Sequence, residues 1–245
     1  MNDVRSMHHV RIAAISTIVF ALGAIVWFAL ESTPPRLGFE DTDDPAVMVG
    51  FIRQHPEVFV RAGIMLVLMA VSLAIAVLAV EEVVRPRSGG LSLRSTSAFG
   101  LFAAAFFLFG GAIRIGSSGP LLHMADLRAA WGEGAYVAAQ VVSQGVLIGG
   151  VFGVCLWAVG LSLIGIRTKV IPLALCILGV FPAFRIVSGL LGPLGLLPAE
   201  DGLWVISILS ISGSILWCFV LGIVLLRRSF GPKEEPATGS ATART

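Results

Sequence analysis

Three arginines sit where a chain this apolar has few polar residues at all: Arg61, Arg114 and Arg185 lie at the margin of long hydrophobic runs or inside one. A guanidinium keeps its charge when partly desolvated, and its planar fork takes a carboxylate or a phosphate in two places, so the chemistry these residues offer is the capture of an anionic group. If the second and third runs are antiparallel helices, Arg61 and Arg114 come to one level. Arg185 lies 15 residues beyond Val170, about 22 Å into an apolar layer of about 30 Å, and reaches that level by snorkelling outward. Three readings stay open: an anion supplied by a lipid or a substrate, an internal pair with Glu57, Asp126, Glu133, Glu200 or Asp201, or snorkelling alone.

Other reactive patterns point away from catalysis. No run carries an Asp, Glu, Lys or His at mid-depth, where such residues are costly and kept for ion coupling or intramembrane chemistry. His8, His9, His55 and His123 fall outside the runs, and HExxH is absent. Cys155, Cys176 and Cys218 lie in apolar sequence without CxxC spacing and read as small hydrophobes. Asp41, Asp43 and Asp44 lack the glycine and distal Glu of a calcium loop. The expectation is a non-enzyme with no metal and no cofactor.

A second set of residues concerns packing. Gly145, Gly149 and Gly153 form a ladder on one helical face, and Ser207, Ser210 and Ser214 share another. Small residues let membrane helices approach closely, which fits packing within one subunit, a dimer seam or a substrate-lining face. Pro182 falls in the middle of the fifth run, where it removes a backbone donor and crowds the carbonyl of Leu178, making this segment the hinge candidate; Pro172 stands in the first turn, where proline is tolerated.

The elements that hold these residues follow from composition. The 245 residues are 56% hydrophobic and 13% charged, against about 25% charged in ordinary soluble domains. The net charge of +2 and the scattered basic residues exclude a nucleic-acid surface. Six apolar runs suit a bilayer core about 30 Å thick: 12–30, 58–80, 97–113, 136–166, 170–191 and 203–226. The third is short for a span and the fourth long. The first is too long for a cleavable signal and reads as a signal anchor. The fold expected is all-α and polytopic, one transmembrane domain over residues 1–228 with a disordered cytoplasmic tail over 229–245. No internal repeat is apparent.

Orientation rests on Lys and Arg. With the N-terminus inside, eleven of the 17 basic residues fall in cytoplasmic segments and six outside, which favours both termini inside. Two short outer interfacial helices are predicted. One follows Asp44-Pro45 through Ile52 with Asp44 as N-cap, and the other runs from Leu121 to Trp131 between Gly119-Pro120 and Gly132.

The segment from Pro45 to Arg228 resembles a bacterial family of six-span membrane proteins known only as a domain of unknown function. The resemblance is carried by the helix leading into Phe59-Val60-Arg61-Ala62-Gly63-Ile64, by Arg114 late in the third run, and by Phe152 to Leu161 followed by a short basic turn and Pro172. The turn departs from the family pattern, since Ile171-Pro172 lacks an Arg beside the proline. The resemblance implies six spans in a bacterial inner membrane and no activity. Two function classes follow: a scaffold or accessory subunit that binds itself or another membrane protein, and a permease or lipid-binding protein that handles an anionic group at the outer leaflet.

Overall fold

A computed structural model describes the backbone of residues 2–88, 90–184, 186–187 and 201–230, with side chains for all of these except 2–6, 201–208, 228 and 230. Among the described residues the chain is entirely helical: α1 (Asn2–Glu31), α2 (Thr33–Arg36), α3 (Pro45–Gln54), α4 (Pro56–Ser88), α5 (Leu91–Leu127), α6 (Ala129–Thr168), α7 (Leu173–Val180) and α8 (Asp201–Phe230). Five of them, α1, α4, α5, α6 and α8, are long and apolar enough to cross a membrane. This is a multi-pass helical membrane protein.

The exposed faces show why. On α4, Ile64, Leu68, Val71, Ile75 and Leu78 are exposed at intervals of three and four residues, and α1 repeats the pattern with Ile15, Val19, Leu22 and Val26. One face of each helix is therefore apolar and outward, an arrangement that water opposes and lipid accepts.

Each long helix packs on the next, α1 on α4, α4 on α5 and α5 on α6, and α8 closes against α1. The helices meet at small residues. A Cβ on Gly111 would lie 2.6 Å from the carbonyl oxygen of Gly63, so α4 and α5 touch backbone to backbone. At the α5–α6 crossing a Cβ on Gly153 would meet the Cβ of Ala103 at 2.8 Å. The interior between the helices holds Leu66, Leu73, Val77, Leu161 and a buried edge-to-face pair, Trp157 and Trp217, with ring centroids 5.5 Å apart.

The two ends differ. At one end lie Arg11, Arg85, Arg87, Arg94, Arg167, Lys169 and Arg227; this is called the basic end. At the other, α3 folds over the mouths of α4, α5 and α6, and with them forms a small core of Val49, Phe51, Ile52, Phe59, Leu121, Ala125 and Tyr136. That is the cap end. Asp44 caps α3 by accepting from the Ala46 N–H at 2.8 Å, with Pro45 opening the helix, as its sequence predicts.

Several boundaries differ from the sequence reading. The second short helix does not stand alone: Leu121–Leu127 continues α5 through Pro120, and the chain turns at Arg128, whose extended backbone ends α5 and begins α6. A proline inside a helix forfeits one hydrogen bond but does not have to end it when the flanking turns are anchored. Here Leu121 and Ala125 are buried under the cap and hold the turn in place. The third run thus belongs to a 37-residue helix. The two short helices at the cap end are α2 and α3, both ahead of α4.

In the fifth run, α7 ends at Val180 and Phe181-Pro182 forms a turn, so Pro182 follows a helix end and does not kink a continuous helix. The Leu178 carbonyl that the proline leaves without its usual donor accepts from the Phe181 N–H at 3.3 Å. Pro172 is the residue before α7, not part of its first turn. At the chain's end α8 runs to Phe230, past the expected tail boundary at 228, and the remainder of the tail lies outside the described residues.

Candidate functional site

Of the three arginines, Arg114 forms a site. It is 3% exposed although it sits on a helix otherwise lined with Gly, Ala and Phe. Its guanidinium holds the carboxylate of Glu31, the last residue of α1, through both terminal nitrogens: Nη1 donates to Oε1 and Nη2 to Oε2, the latter at 3.1 Å. The rings of Phe59 and Trp27 flank it, with centroids 5.7 and 6.0 Å from the guanidinium carbon. A two-pronged pair with aromatic neighbours is the setting in which a buried guanidinium is tolerated. Glu31 was not among the partners expected for the arginines. Of those that were, Asp126 pairs with Arg53 at 2.6 Å on the surface, Glu57 faces His55 at 3.7 Å, and the side chains of Glu200 and Asp201 lie outside the described residues.

Above the pair lies a cavity of about 280 Å³. Its floor is Arg114 and Glu31; α6 contributes Tyr136, Gln140 and Gln144; Thr42 and Asp43 come from the loop before α3. Phe51 and Met48 of α3 close it from the cap side. A smaller recess beside it is shared by Arg114, Ser117, Tyr136, Gln140 and Ser143. Two polar atoms buried here, Nε of Arg114 and Oγ of Ser143, have no hydrogen-bond partner among the described residues, and neither has Nε1 of Trp27. Leaving such groups unmatched costs about 1–3 kcal/mol each.

No family model, curated protein or solved structure matches the chain.

The remaining candidates separate. Arg61 is exposed on α4 and does not line the cavity, while Arg185 lies outside the described residues. The three arginines are thus not seen together, and the site consists of one of them with a carboxylate.

Among the described residues Gly145 is exposed with nothing within 4 Å of a Cβ built on it, whereas Gly149 faces the Phe106 ring and Gly153 touches the α5 backbone, so the last two rungs of the ladder pack within the subunit. Ser210 and Ser214 are buried, with the Ser214 hydroxyl donating to the Ser210 carbonyl at 2.8 Å; the Ser207 side chain is outside the described residues. Pro182 is buried at the turn after α7, away from the cavity.

The signals for the site residues that sequence reasoning passed over are modest but present. Tyr136, Gln140 and Gln144 recur every four residues in an otherwise apolar helix, which places a polar stripe on one face. Glu31 stands four residues after Trp27 on α1, so both face the same neighbour. A search for charged residues at mid-depth overlooks uncharged amides and a carboxylate at a helix end.

Proposed function

We propose that this protein is a binding protein of the bacterial inner membrane, which crosses the membrane six times with both termini in the cytoplasm and holds a zwitterionic group in the cap cavity on the outer side. Orientation is supported by the basic end, since Lys and Arg near span ends are retained in the cytoplasm. The sixth crossing is supported by connectivity. α6 and α8 both finish at the basic end, where Val170, Ile171, Leu221 and Leu225 pack together. α8 has 30 residues and so is about 45 Å long. α8 therefore begins towards the cap end, whereas α6 finishes at the basic end.

The observation that carries the ligand reading is the buried Arg114–Glu31 pair at the floor of a polar cavity, beneath Asp43. One guanidinium and two carboxylates attract a ligand bearing a cation as well as an oxyanion, and the Tyr136, Gln140 and Gln144 side chains add neutral hydrogen bonds. Amides, a phenol and an ion pair bind without transferring groups, which favours an accessory role over catalysis. A phosphoethanolamine-type group, free or on a lipid, has this chemistry.

Gentle extraction followed by native mass spectrometry tests the reading. A retained zwitterionic ligand, lost in Asp43→Asn/Gln144→Leu while the melting temperature is unchanged, is the expected result. Equal retention by parent and variant would place the ligand elsewhere, and its absence from both would remove the binding role.

A further inference from the structure

We propose that the occupant of the cap cavity is a membrane lipid whose acyl chain lies along the cleft between α1 and α8. The inference rests on the headgroup reading above and adds the rest of the molecule. The cleft has a volume of about 560 Å³ and is walled by Leu22, Ile25 and Phe28 of α1 and by Ile211, Ile215 and Phe219 of α8. Phe28, Ile211 and Ile215 also line an apolar recess of about 50 Å³ further inside the bundle. That recess reaches Trp27, and the Trp27 ring lies 6.0 Å from the Arg114 guanidinium. The cleft and the recess thus share walls, and the recess is separated from the floor of the polar cavity by the Trp27 side chain.

The stacking follows helix geometry. Glu31 at the cavity floor and Trp27 in the recess are one turn apart on α1. Gln144 and Val151 line the two spaces from one face of α6, seven residues or about 10 Å apart along the axis. Between the spaces lies a layer with a surplus of donors. Arg114 Nε and Trp27 Nε1 are both buried without a partner among the described residues, and both can only donate.

From the cap inward the site offers charge, then unmatched donors, then apolar wall. A lipid offers the complement in the same order: a zwitterionic headgroup, the acceptor oxygens of its phosphate and ester groups, and a chain. A chainless zwitterion offers the headgroup and the phosphate oxygens but neither the ester oxygens nor the chain, so the apolar layer is left empty.

The test compares dioctanoyl phosphatidylethanolamine with glycerophosphoethanolamine, which carries the same headgroup without chains, on the full-length protein in detergent. The lipid is expected to bind at least about tenfold more tightly, because each methylene buried adds several-fold. Ser212 is exposed and lines the cleft, so Ser212→Phe should fill it without disturbing the core. That variant is expected to lose most of the lipid's advantage and to leave the chainless compound unaffected. Ile215→Trp, which projects from the wall common to the cleft and the recess, should do the same. Equal affinity for the two compounds, or a lipid advantage untouched by both variants, would overturn the chain-binding proposal while leaving the headgroup reading intact. Failure of both compounds to bind would overturn the two together.

Discussion

The Arg114 guanidinium grips both carboxylate oxygens of Glu31 and so fastens the end of α1 to the middle of α5, two helices 83 positions apart in sequence at this contact. Arg114 adjoins the Gly63–Gly111 crossing of α4 and α5, its Cβ 3.2 Å from a Cβ built on Gly63, and the pair forms the floor of the cap cavity.

Removing one member should cost more than the pair contributes. Glu31→Gln leaves a guanidinium that is 3% exposed without a counter-charge, and breaking a buried pair in this way costs about 3–5 kcal/mol. Arg114→Met should cost less than Glu31→Gln, because the carboxylate left behind has a side chain 30% exposed and can turn to water. Thermal melting in a single detergent would rank the variants. A Glu31→Gln protein as stable as the parent would show that the charge finds solvent or another partner.

The glycine contacts make a contrast within one helix. Gly153→Ala pushes a methyl into the Ala103 methyl and the Phe99 carbonyl oxygen, at 2.8 and 2.9 Å before relaxation, and overpacking of this kind costs about 1–3 kcal/mol. Gly145→Ala meets nothing and should gain up to about 1 kcal/mol from helix propensity. Opposite shifts in melting temperature are expected; shifts of the same sign would mean that the two positions share an environment.

At the basic end Lys169 ends α6 in the left-handed conformation, with φ of 55°. A non-glycine residue there is strained by about 1–2 kcal/mol. Lys169→Gly should therefore raise stability by up to about 1 kcal/mol, offset in part by the greater freedom of glycine in the unfolded chain. Lower stability would indicate that the ammonium group contributes more than the backbone strain costs.

Gly179 occupies a place where no side chain fits, since a Cβ would overlap the Ser162 hydroxyl and the Trp217 indole. Gly179→Ala should displace Trp217 from its hydrogen bond to the Leu175 carbonyl, 3.0 Å in the parent, and shift near-ultraviolet circular dichroism. An unaltered aromatic spectrum would mean that α7 moves aside as a unit.

What the sequence made legible follows the strength of each physical signal. Long apolar runs and the Asp44-Pro45 cap are local: five of the six runs fall within helices long and apolar enough to cross a membrane, and the cap stands where it was read. Arg114 was recognisable because a charge beside a span has few explanations. Its partner was not, because Glu31 sits at a run's edge and pairs across 83 residues, beyond the reach of any local pattern. The Leu121–Leu127 segment was misjudged for a related reason. Pro120 is a helix breaker in isolation, whereas burial of Leu121 and Ala125 under α3 holds the helix through it. Gly145 and Gly153 look alike in sequence and differ only in whether another helix passes over them.

The binding role is tested most directly by tryptophan emission, because Trp27 sits beside the Arg114 guanidinium and its indole Nε1 has no partner among the described residues. Titration of the detergent-solubilised protein with dioctanoyl phosphatidylethanolamine should produce a saturable change in emission as that donor acquires an acceptor. The change should vanish in Trp27→Phe and require higher ligand concentrations in Gln144→Leu. A parent protein whose emission does not respond, or a response that persists undiminished in Trp27→Phe, would contradict a ligand seated over the Arg114–Glu31 pair.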